Sequence, residues 1–286
     1  MFENYANSGL GSDARTKEID VTRLRPSDAE RRTQRGAGPD FSEALARGLQ
    51  VLTLFNAEHP AITLSDLARA ANLPRATVRR VMLTLVYLGY VQADGRLFRL
   101  TPRVLRLAAA YLTSNAVSTL LQPACDRVTR LVCESCTAAV LEGPDVVMIA
   151  RALPMQLVPA GVGIGYRLPA YCSALGRILL TALTPAALDA YLSGVPLVPL
   201  TDRTVVEPVA IGAAIRAAAT DGFCLVDQEA EYGFRSIAVP LRKFDGTVVA
   251  ALNIGARIER ADVATLCGPY LAILRAEAEG LSGLLI

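Results

Sequence analysis

Arginine, alanine and threonine side chains are concentrated in residues 74–80, whose sequence is PRATVRR. Pro74 suits the first position of a helix, because its ring fixes φ near the helical value and its missing amide proton is not needed there. Helical geometry would turn Val78 toward the interior and leave the neighbouring side chains outside. Arginine makes bidentate hydrogen bonds to guanine, and methyl groups contact thymine. We therefore predict that this helix reads base edges through Arg75, Ala76, Thr77 and Arg79.

Further polar side chains are placed to meet the phosphates of the same duplex. Arg80 lies further round the helix, Arg96 and Arg99 belong to a hairpin that follows it, and Ser65 lies on the preceding helix. The alternative is a protein-binding domain in which these arginines only solvate the surface. Three arginines at the exposed start of a helix, next to a hairpin of the same charge, favour nucleic acid.

A second candidate site lies in the segment LPAYCSALGR. Pro169 keeps the incoming chain extended, and Ser173 can cap the helix that follows. The backbone amides of Ala174, Leu175 and Gly176 would then lack partners at the helix start. Such amides bind anions, so this segment predicts a site for a carboxylate.

Polar residues also stand near the ends of apolar strands in the second half of the chain. Asp227, Ser236 and Asn253 can form hydrogen bonds there, and Gly255 allows a close approach of the backbone. Together with the helix start they would outline a small pocket. The alternative is that Ser173 only caps its helix and Asn253 satisfies a bulge, with no ligand.

The sequence offers little for catalysis. A nucleophilic Cys172 or Ser173 needs a base within hydrogen-bond reach, and the single histidine, His59, stands before Pro60 in a predicted turn. The CESC motif of residues 133–136 has no second cysteine pair to complete a zinc site. We therefore predict no catalytic residues, no bound metal and no cofactor.

Residues 41–101 have the pattern of a winged helix-turn-helix. Ser42 and Thr63 can cap the first two helices. The first helix is predicted to bury an apolar stripe made of Leu45, Leu49, Leu52 and Phe55. After the third helix, Asp94-Gly95 separates two short β-prone runs, and this dipeptide favours a type I′ hairpin.

The rest of the chain predicts a helix followed by an α+β domain. Residues 102–115 form an amphipathic helix that either packs on its own chain or serves as an interdomain or dimer helix. Two predicted hairpins, around residues 143–145 and 244–246, indicate an antiparallel sheet. Helices are predicted to pack on this sheet at residues 119–134, 174–183, 185–193, 208–221 and 262–283.

Composition agrees with two domains of unlike charge. The 286 residues suit two domains of about 150 residues each. The net charge is only +2, but residues 41–118 contain nine arginines against four acidic residues. Residues 1–40 lack apolar periodicity and are predicted to be a disordered lead-in. Neither a run of about 18 apolar residues nor a signal peptide is found, so we predict a cytoplasmic protein without membrane contact.

Five segments together resemble the IclR-type transcriptional regulators, namely FSEALARGLQVLTLF, TLSDLARAANLPRATVRRVMLTLVYLGYV, FRLTPRVLRLAAAYL, LPAYCSALGRILL and DQEAEYGFRSIAVPL. Two of them resemble more narrowly the PcaR, PcaU and PobR branch, which controls aromatic-acid catabolism through the β-ketoadipate pathway. The resemblance implies a winged helix-turn-helix over residues 41–101, a linker helix over 102–115 and a GAF-like effector-binding domain over 116–286. It also implies a homodimer or a dimer of dimers on a palindromic operator of double-stranded DNA.

The resemblance further implies which residues contact an effector. They are Ser173, Ala174, Leu175, Asp227, Phe234, Ser236, Asn253 and Gly255. Phe234 would be an apolar wall, and Gly255 replaces a residue that often carries a hydroxyl in relatives, so that one side-chain contact is lost. The implied effectors are protocatechuate, 4-hydroxybenzoate or β-ketoadipate, all carboxylates. Arg167 and Arg235 are nearby cationic candidates, and the alternative for each is a surface or scaffold charge.

We therefore predict a regulator whose affinity for its operator changes when a small aromatic or dicarboxylic acid binds. Such a protein would control catabolic genes of the β-ketoadipate and protocatechuate pathway. One alternative is a metabolic enzyme of aromatic-acid breakdown with an appended DNA-binding module. Another is a DNA-binding protein that responds to no ligand.

Overall fold

The computed structural model describes residues 40–56, 59–114, 116–154 and 163–285. The chain consists of two compact units, one ending at Thr101 and the other beginning at Pro102. The predicted lead-in, residues 1–40, lies outside the described residues except for Asp40.

The first unit contains helices and a small antiparallel sheet in which β3 lies between β1 and β2. Its elements are α1 (Glu43–Leu52), β1 (Ile62–Thr63), α2 (Leu64–Ala70), α3 (Arg75–Tyr87), β2 (Val91–Asp94) and β3 (Leu97–Leu100). Val51, Leu67, Val78 and Met82 are fully buried between the helices. This order of helices followed by a hairpin confirms the predicted winged helix-turn-helix.

Two local predictions in this unit are wrong. Leu45 and Leu49 are more than half exposed, whereas α1 packs through Val51. Successive helical residues turn by about 100°, which puts the two leucines on a different side of α1 from Val51. The hairpin loop is Gly95-Arg96, because Asp94 still pairs with Leu97. A glycine with φ of 58° at the first loop position fits a type II′ turn rather than type I′.

The second unit begins with a 3₁₀ turn, Pro102–Val104, and helix α4 (Leu105–Ser114), which lies within the predicted linker helix of residues 102–115. Its further elements are α5 (Ala116–Val132), β4 (Ser135–Glu142), β5 (Asp145–Ala152), β6 (Arg167–Pro169), α6 (Ala174–Leu180), α7 (Pro185–Gly194), α8 (Pro208–Asp221), β7 (Cys224–Asp227), β8 (Phe234–Arg242), β9 (Val248–Arg257) and α9 (Leu271–Ser282). The strands form one antiparallel sheet in the order β6-β5-β4-β9-β8-β7. The predicted α+β class and both hairpins are confirmed.

Helices cover both faces of this sheet. One face packs on α5 and α9 through a core that includes Leu121, Leu252 and Leu274. The other face packs on α6, α7 and α8 through residues such as Ile178 and Ile211. The sheet is therefore the middle layer of three, and α6 starts on the second face, where the predicted pocket residues are found.

No single helix in the described part of the chain is long and apolar enough to cross a membrane. A bent pair, Pro102–Ser114 and Thr119–Val132, meets the length and composition test only when it is taken together across an 87° bend. The second helix of that pair buries Leu121, Val128 and Val132 against the sheet, as a core helix does.

Candidate functional site

The preceding helix α2 and the turn after it lead into α3, the predicted base-reading helix. Thr63 caps α2 by accepting a hydrogen bond from the Asp66 amide, and its hydroxyl donates to the Asp66 carboxylate. Asn72 then adopts φ of 49°, a left-handed conformation that turns the chain between α2 and α3. Pro74 is the residue before α3 rather than its first residue.

The side chains predicted to contact DNA lie on the surface of the first unit. Ser65, Arg75, Ala76, Arg79, Arg80, Arg96 and Arg99 are exposed, and Thr77 is partly exposed. Within the described part of the chain, the five guanidinium groups in this set have no hydrogen-bond or ion-pair partner. Val78 is fully buried, as predicted, and fixes which side of α3 faces outward. This surface can therefore offer unpaired cations to a polyanion.

The second unit contains a cavity of about 500 Å³ on the α6 side of its sheet. Its apolar wall includes Met148, Leu168, Leu175, Val226 and Phe234. Its polar lining includes Ser135, Thr137, Ser173, Ser236 and Asn253, with the side chains of Arg151, Arg257 and Arg260. Apolar walls with a few convergent polar groups are typical of small-molecule sites.

Seven of the eight predicted effector contacts line this cavity, namely Ser173, Ala174, Leu175, Phe234, Ser236, Asn253 and Gly255. Asp227 does not. Its carboxylate accepts two hydrogen bonds from Arg235, at 3.0 and 3.3 Å. Strand alternation accounts for the absence of both residues from the lining. Asp227 follows the lining residue Val226, and Arg235 lies between the lining residues Phe234 and Ser236, so both belong to the other face of the sheet.

The second predicted cation, Arg167, is also absent from the cavity lining. Its guanidinium is bound to the carboxylates of Glu142 and Asp145 at the β4–β5 hairpin. The side chain is therefore held at the opposite end of these strands from Ser135. For both Arg167 and Arg235 the structure favours the alternative, a scaffold charge, and other arginines line the cavity.

The start of α6 presents two backbone amides to the cavity, instead of the three that the sequence predicted. The Gly176 amide is not free, because it donates to the Ser173 hydroxyl at 3.1 Å. The amides of Ala174 and Leu175 find no acceptor among the described residues. Gly176 is needed for packing instead, since a Cβ there would overlap the backbone of Ala170. Two amides, rather than three, are available to a ligand.

Asn253 is oriented by the neighbouring strand. Its Oδ1 accepts a hydrogen bond from the Thr137 amide at 3.1 Å. With the oxygen engaged, Nδ2 is the part of the side chain that can donate to a bound molecule. The hydroxyl of Ser135 is already committed, because it donates to the Gly255 carbonyl at 2.6 Å.

Gly255 leaves space that the protein itself fills. A Cβ at this position would lie 2.9 Å from Cε1 of Phe234 and would also overlap Cζ of that ring. The ring therefore crosses from β8 onto β9 and lies over Gly255. The guanidinium carbon of Arg257 is 6.0 Å from the ring centre. The missing side chain at position 255 makes room for an aromatic wall.

Sequence reasoning missed the arginines of the cavity. Arg257 and Arg260 are exposed at its rim and form ion pairs with Glu231 and Glu134. Arg151 is half-buried, and burial lowers the pKa of its guanidinium. An arginine in the otherwise apolar run VVMIARAL was the available signal, since a charge inside a strand pattern indicates a special environment.

Cys172 lines the cavity but is a poor nucleophile. Burial raises the pKa of its thiol to about 11, so the thiolate is scarce at neutral pH. Cys172 therefore lacks the lowered pKa that activates a cysteine nucleophile. No group of three or more metal-ligating side chains that could hold a metal ion occurs in the residues that the structure covers.

Comparison with known proteins identifies both units. The IclR helix-turn-helix domain matches residues 44–95, and the C-terminal domain of the bacterial transcriptional regulator IclR matches residues 109–283. The Pca regulon regulatory protein of Pseudomonas putida is 40% identical over 85% of this chain and 84% of its own length. The p-hydroxybenzoate hydroxylase transcriptional activator of Acinetobacter baylyi is 30% identical over 86% of this chain and 92% of its own length.

A solved structure of an IclR homolog from Microbacterium hydrocarbonoxydans, complexed with 4-hydroxybenzoate, superposes with a TM-score of 0.72. It is 31% identical and covers 85% of this chain and 99% of its own. These matches confirm the predicted resemblance, and the relatives are regulators rather than enzymes. The chain belongs to the IclR family of bacterial transcriptional regulators.

Proposed function

We propose that this regulator binds a small aromatic or dicarboxylic acid in the cavity beside α6 and thereby controls catabolic genes of the β-ketoadipate and protocatechuate pathway. One observation carries the proposal: the cavity combines apolar walls with the Ala174 and Leu175 amides, Asn253 and Arg151. This set can surround a ring or short carbon chain and bind its carboxylate. Relatives named for the pca regulon and for p-hydroxybenzoate hydroxylase support the pathway.

The proposed effector contacts are the seven predicted residues that line the cavity, together with Arg151. Protocatechuate, 4-hydroxybenzoate and β-ketoadipate all carry a carboxylate and are small enough for about 500 Å³. The relative that is complexed with 4-hydroxybenzoate makes that acid the first to test. The proposed effector-binding domain is residues 116–286, preceded by the linker helix over 102–115.

The DNA-binding proposal places the start of α3 in the major groove of a palindromic operator and the β2–β3 hairpin beside the phosphates. Ser65, Arg75, Ala76, Thr77, Arg79, Arg80, Arg96 and Arg99 are the proposed contacts. A palindrome requires two copies of the unit, so the active species is a homodimer or a dimer of dimers. Such a protein acts in the cytoplasm, where bacterial DNA lies.

Calorimetric titration of the purified full chain with the three acids tests the effector proposal. Binding by one of them, and a shift in operator affinity at saturation, is the expected result. Analogues of similar size in which a neutral sulfonamide replaces the carboxylate are the control for the contribution of the negative charge. No binding by any of the acids, and no thermal stabilisation, would contradict the proposal. Light scattering on the free protein and on its operator complex measures the oligomer.

A further inference from the structure

A side-chain amide joins helix α5 to the main chain of a residue in the cavity lining. Gln122 Oε1 accepts a hydrogen bond from the Arg151 amide at 3.1 Å. Its Nε2 donates to the Arg151 carbonyl oxygen at 3.0 Å and to Asp126 Oδ1 at 3.0 Å. One side chain thus satisfies both backbone groups of Arg151.

At Arg151 these hydrogen bonds take the place of strand pairing, since no described strand pairs with the outer edge of β5 there. β6 pairs with β5 only from Asp145 to Val147, and Met148 exchanges hydrogen bonds with Tyr166 and Gly165. At Arg151 the outer edge of β5 is met by the side chain of Gln122 instead. A primary amide carries a donor and an acceptor side by side, so it can occupy the place of a peptide group on a strand edge.

Arg151 is connected to the cavity in two ways. Its side chain lines the cavity and its Nη1 lies 3.9 Å from Met148 Sδ, another lining atom. On the inner edge of β5 it pairs with Thr137, whose amide orients Asn253. A carboxylate that contacts the guanidinium of Arg151 therefore pulls on strand β5 at the residue whose backbone is hydrogen-bonded to Gln122.

Helix α5 leads from this contact to the linker. It begins at Ala116, two residues after the linker helix α4 ends at Ser114. We propose that Gln122 is the positioning residue that transmits effector binding from Arg151 to helix α5 and so to the linker. This inference rests on the proposed function, because it requires an acid effector in the cavity.

The test compares wild type with Gln122→Met, which keeps the length of the side chain and loses all three of its hydrogen bonds, two to Arg151 and one to Asp126. A matched control is Thr129→Val. Thr129 also lies on α5 and its hydroxyl donates to β5, at the Ala152 carbonyl, but Ala152 is not part of the cavity lining. Operator affinity of the full chain is measured with no acid and with saturating protocatechuate or 4-hydroxybenzoate. At saturating acid every variant is fully occupied, so a difference in acid affinity does not affect the measured change in operator affinity.

Allosteric coupling in proteins typically changes affinity by about 5- to 150-fold. We expect Gln122→Met to bind the operator within about twofold of wild type without acid, and to lose most of the acid-dependent change. Thr129→Val keeps the wild-type response. Gln122→Leu, which also loses every hydrogen bond of Gln122, gives the same loss and covers the case in which the methionine variant does not fold.

Hydrogen exchange supplies an independent measurement. The Arg151 amide exchanges faster in Gln122→Met than in wild type or Thr129→Val, because its acceptor has been removed. A full acid response in both Gln122 variants overturns the inference and leaves the proposed function intact. If wild type binds none of the three acids, β-ketoadipate included, the proposed function fails, and the inference fails with it.

Discussion

Arg177 and Glu229 form a buried, two-pronged ion pair. Nη1 and Nη2 of Arg177 donate to the two carboxylate oxygens of Glu229 at 2.7 Å each, and both side chains are more than nine-tenths buried. Nε of Arg177 donates to the Tyr171 carbonyl, and Glu229 also accepts from the Val205 amide. The pair therefore fastens α6 to the β7–β8 connection, and both segments contribute to the cavity lining.

Replacing Arg177 with Met should destabilise the protein strongly. The substitution leaves the Glu229 carboxylate buried without its counterion, and removing one partner of a buried pair costs about 3–5 kcal/mol. The free energy of unfolding from urea denaturation measures the effect. The control is Glu231→Ala, because Glu231 pairs with Arg257 at an exposed site where such pairs contribute about 0–1 kcal/mol. Equal losses in the two variants would contradict the argument.

Arg79→Ala and Arg99→Ala should affect DNA binding differently. Arg79 projects from the exposed start of α3, where it can contact base edges, so its loss lowers the preference for operator over random duplex by about 1–3 kcal/mol. Arg99 lies on the hairpin, so its loss weakens binding to both duplexes and lowers the salt slope by about 1. Fluorescence anisotropy over a range of salt concentrations measures both effects. The same loss of discrimination in both variants would refute this division of roles.

Local rules of sequence predicted most elements of the fold. Ser173 caps α6 as predicted, and the turn at Gly143 joins β4 to β5. The position of Arg151 could not be predicted, because the β4–β5 register shifts between Ala138 and Ala139. This bulge places Met148 and Arg151, three residues apart, in the same cavity, whereas strict alternation would put them on opposite faces.

The sequence also could not predict which charged residues pair across the sheet. A sequence indicates that Asp227 and Arg235 lie near a pocket, but only the register of β7 and β8, in which they are directly opposite, shows that they neutralise each other. The exposure of Leu45 has a similar cause, since the partner surface that decides which side of α1 is buried is formed by residues far along the chain.

Asn253→Asp should weaken binding of an acid effector by at least tenfold, about 1.4 kcal/mol. The aspartate can still accept from the Thr137 amide, but it replaces the Nδ2 donor with a second negatively charged oxygen facing the cavity. Calorimetric titration with 4-hydroxybenzoate gives the change in Kd. Ser135→Ala is the matched control, because its hydroxyl is already used by the Gly255 carbonyl. An unchanged Kd for Asn253→Asp would exclude this residue from the site.

Gly255→Ala should destabilise the second unit by about 1–3 kcal/mol, as overpacking of a core does. The new methyl group would overlap the Phe234 ring, which fills this space now. Adding Phe234→Leu shortens the opposing side chain and should recover part of the loss, so the double-mutant cycle yields a favourable coupling energy. Simple additivity of the two substitutions would show that Phe234 and Gly255 do not share this space in solution.

Stability should fall as the pH rises above about 8.5, the ordinary pKa of a thiol. Burial raises the pKa of Cys172 and of Cys224 to about 11. Between these values the unfolded chain loses thiol protons that the folded chain retains, so the free energy of unfolding decreases with pH. Cys224→Ala should therefore show a shallower decline than wild type in urea denaturation at pH 8 to 10 under reducing conditions. Cys133→Ser, which removes an exposed thiol, is the control and should keep the wild-type decline. If all three proteins declined in parallel, the ionisation would belong to other groups, such as the partly buried Tyr191, whose pKa is also raised by burial.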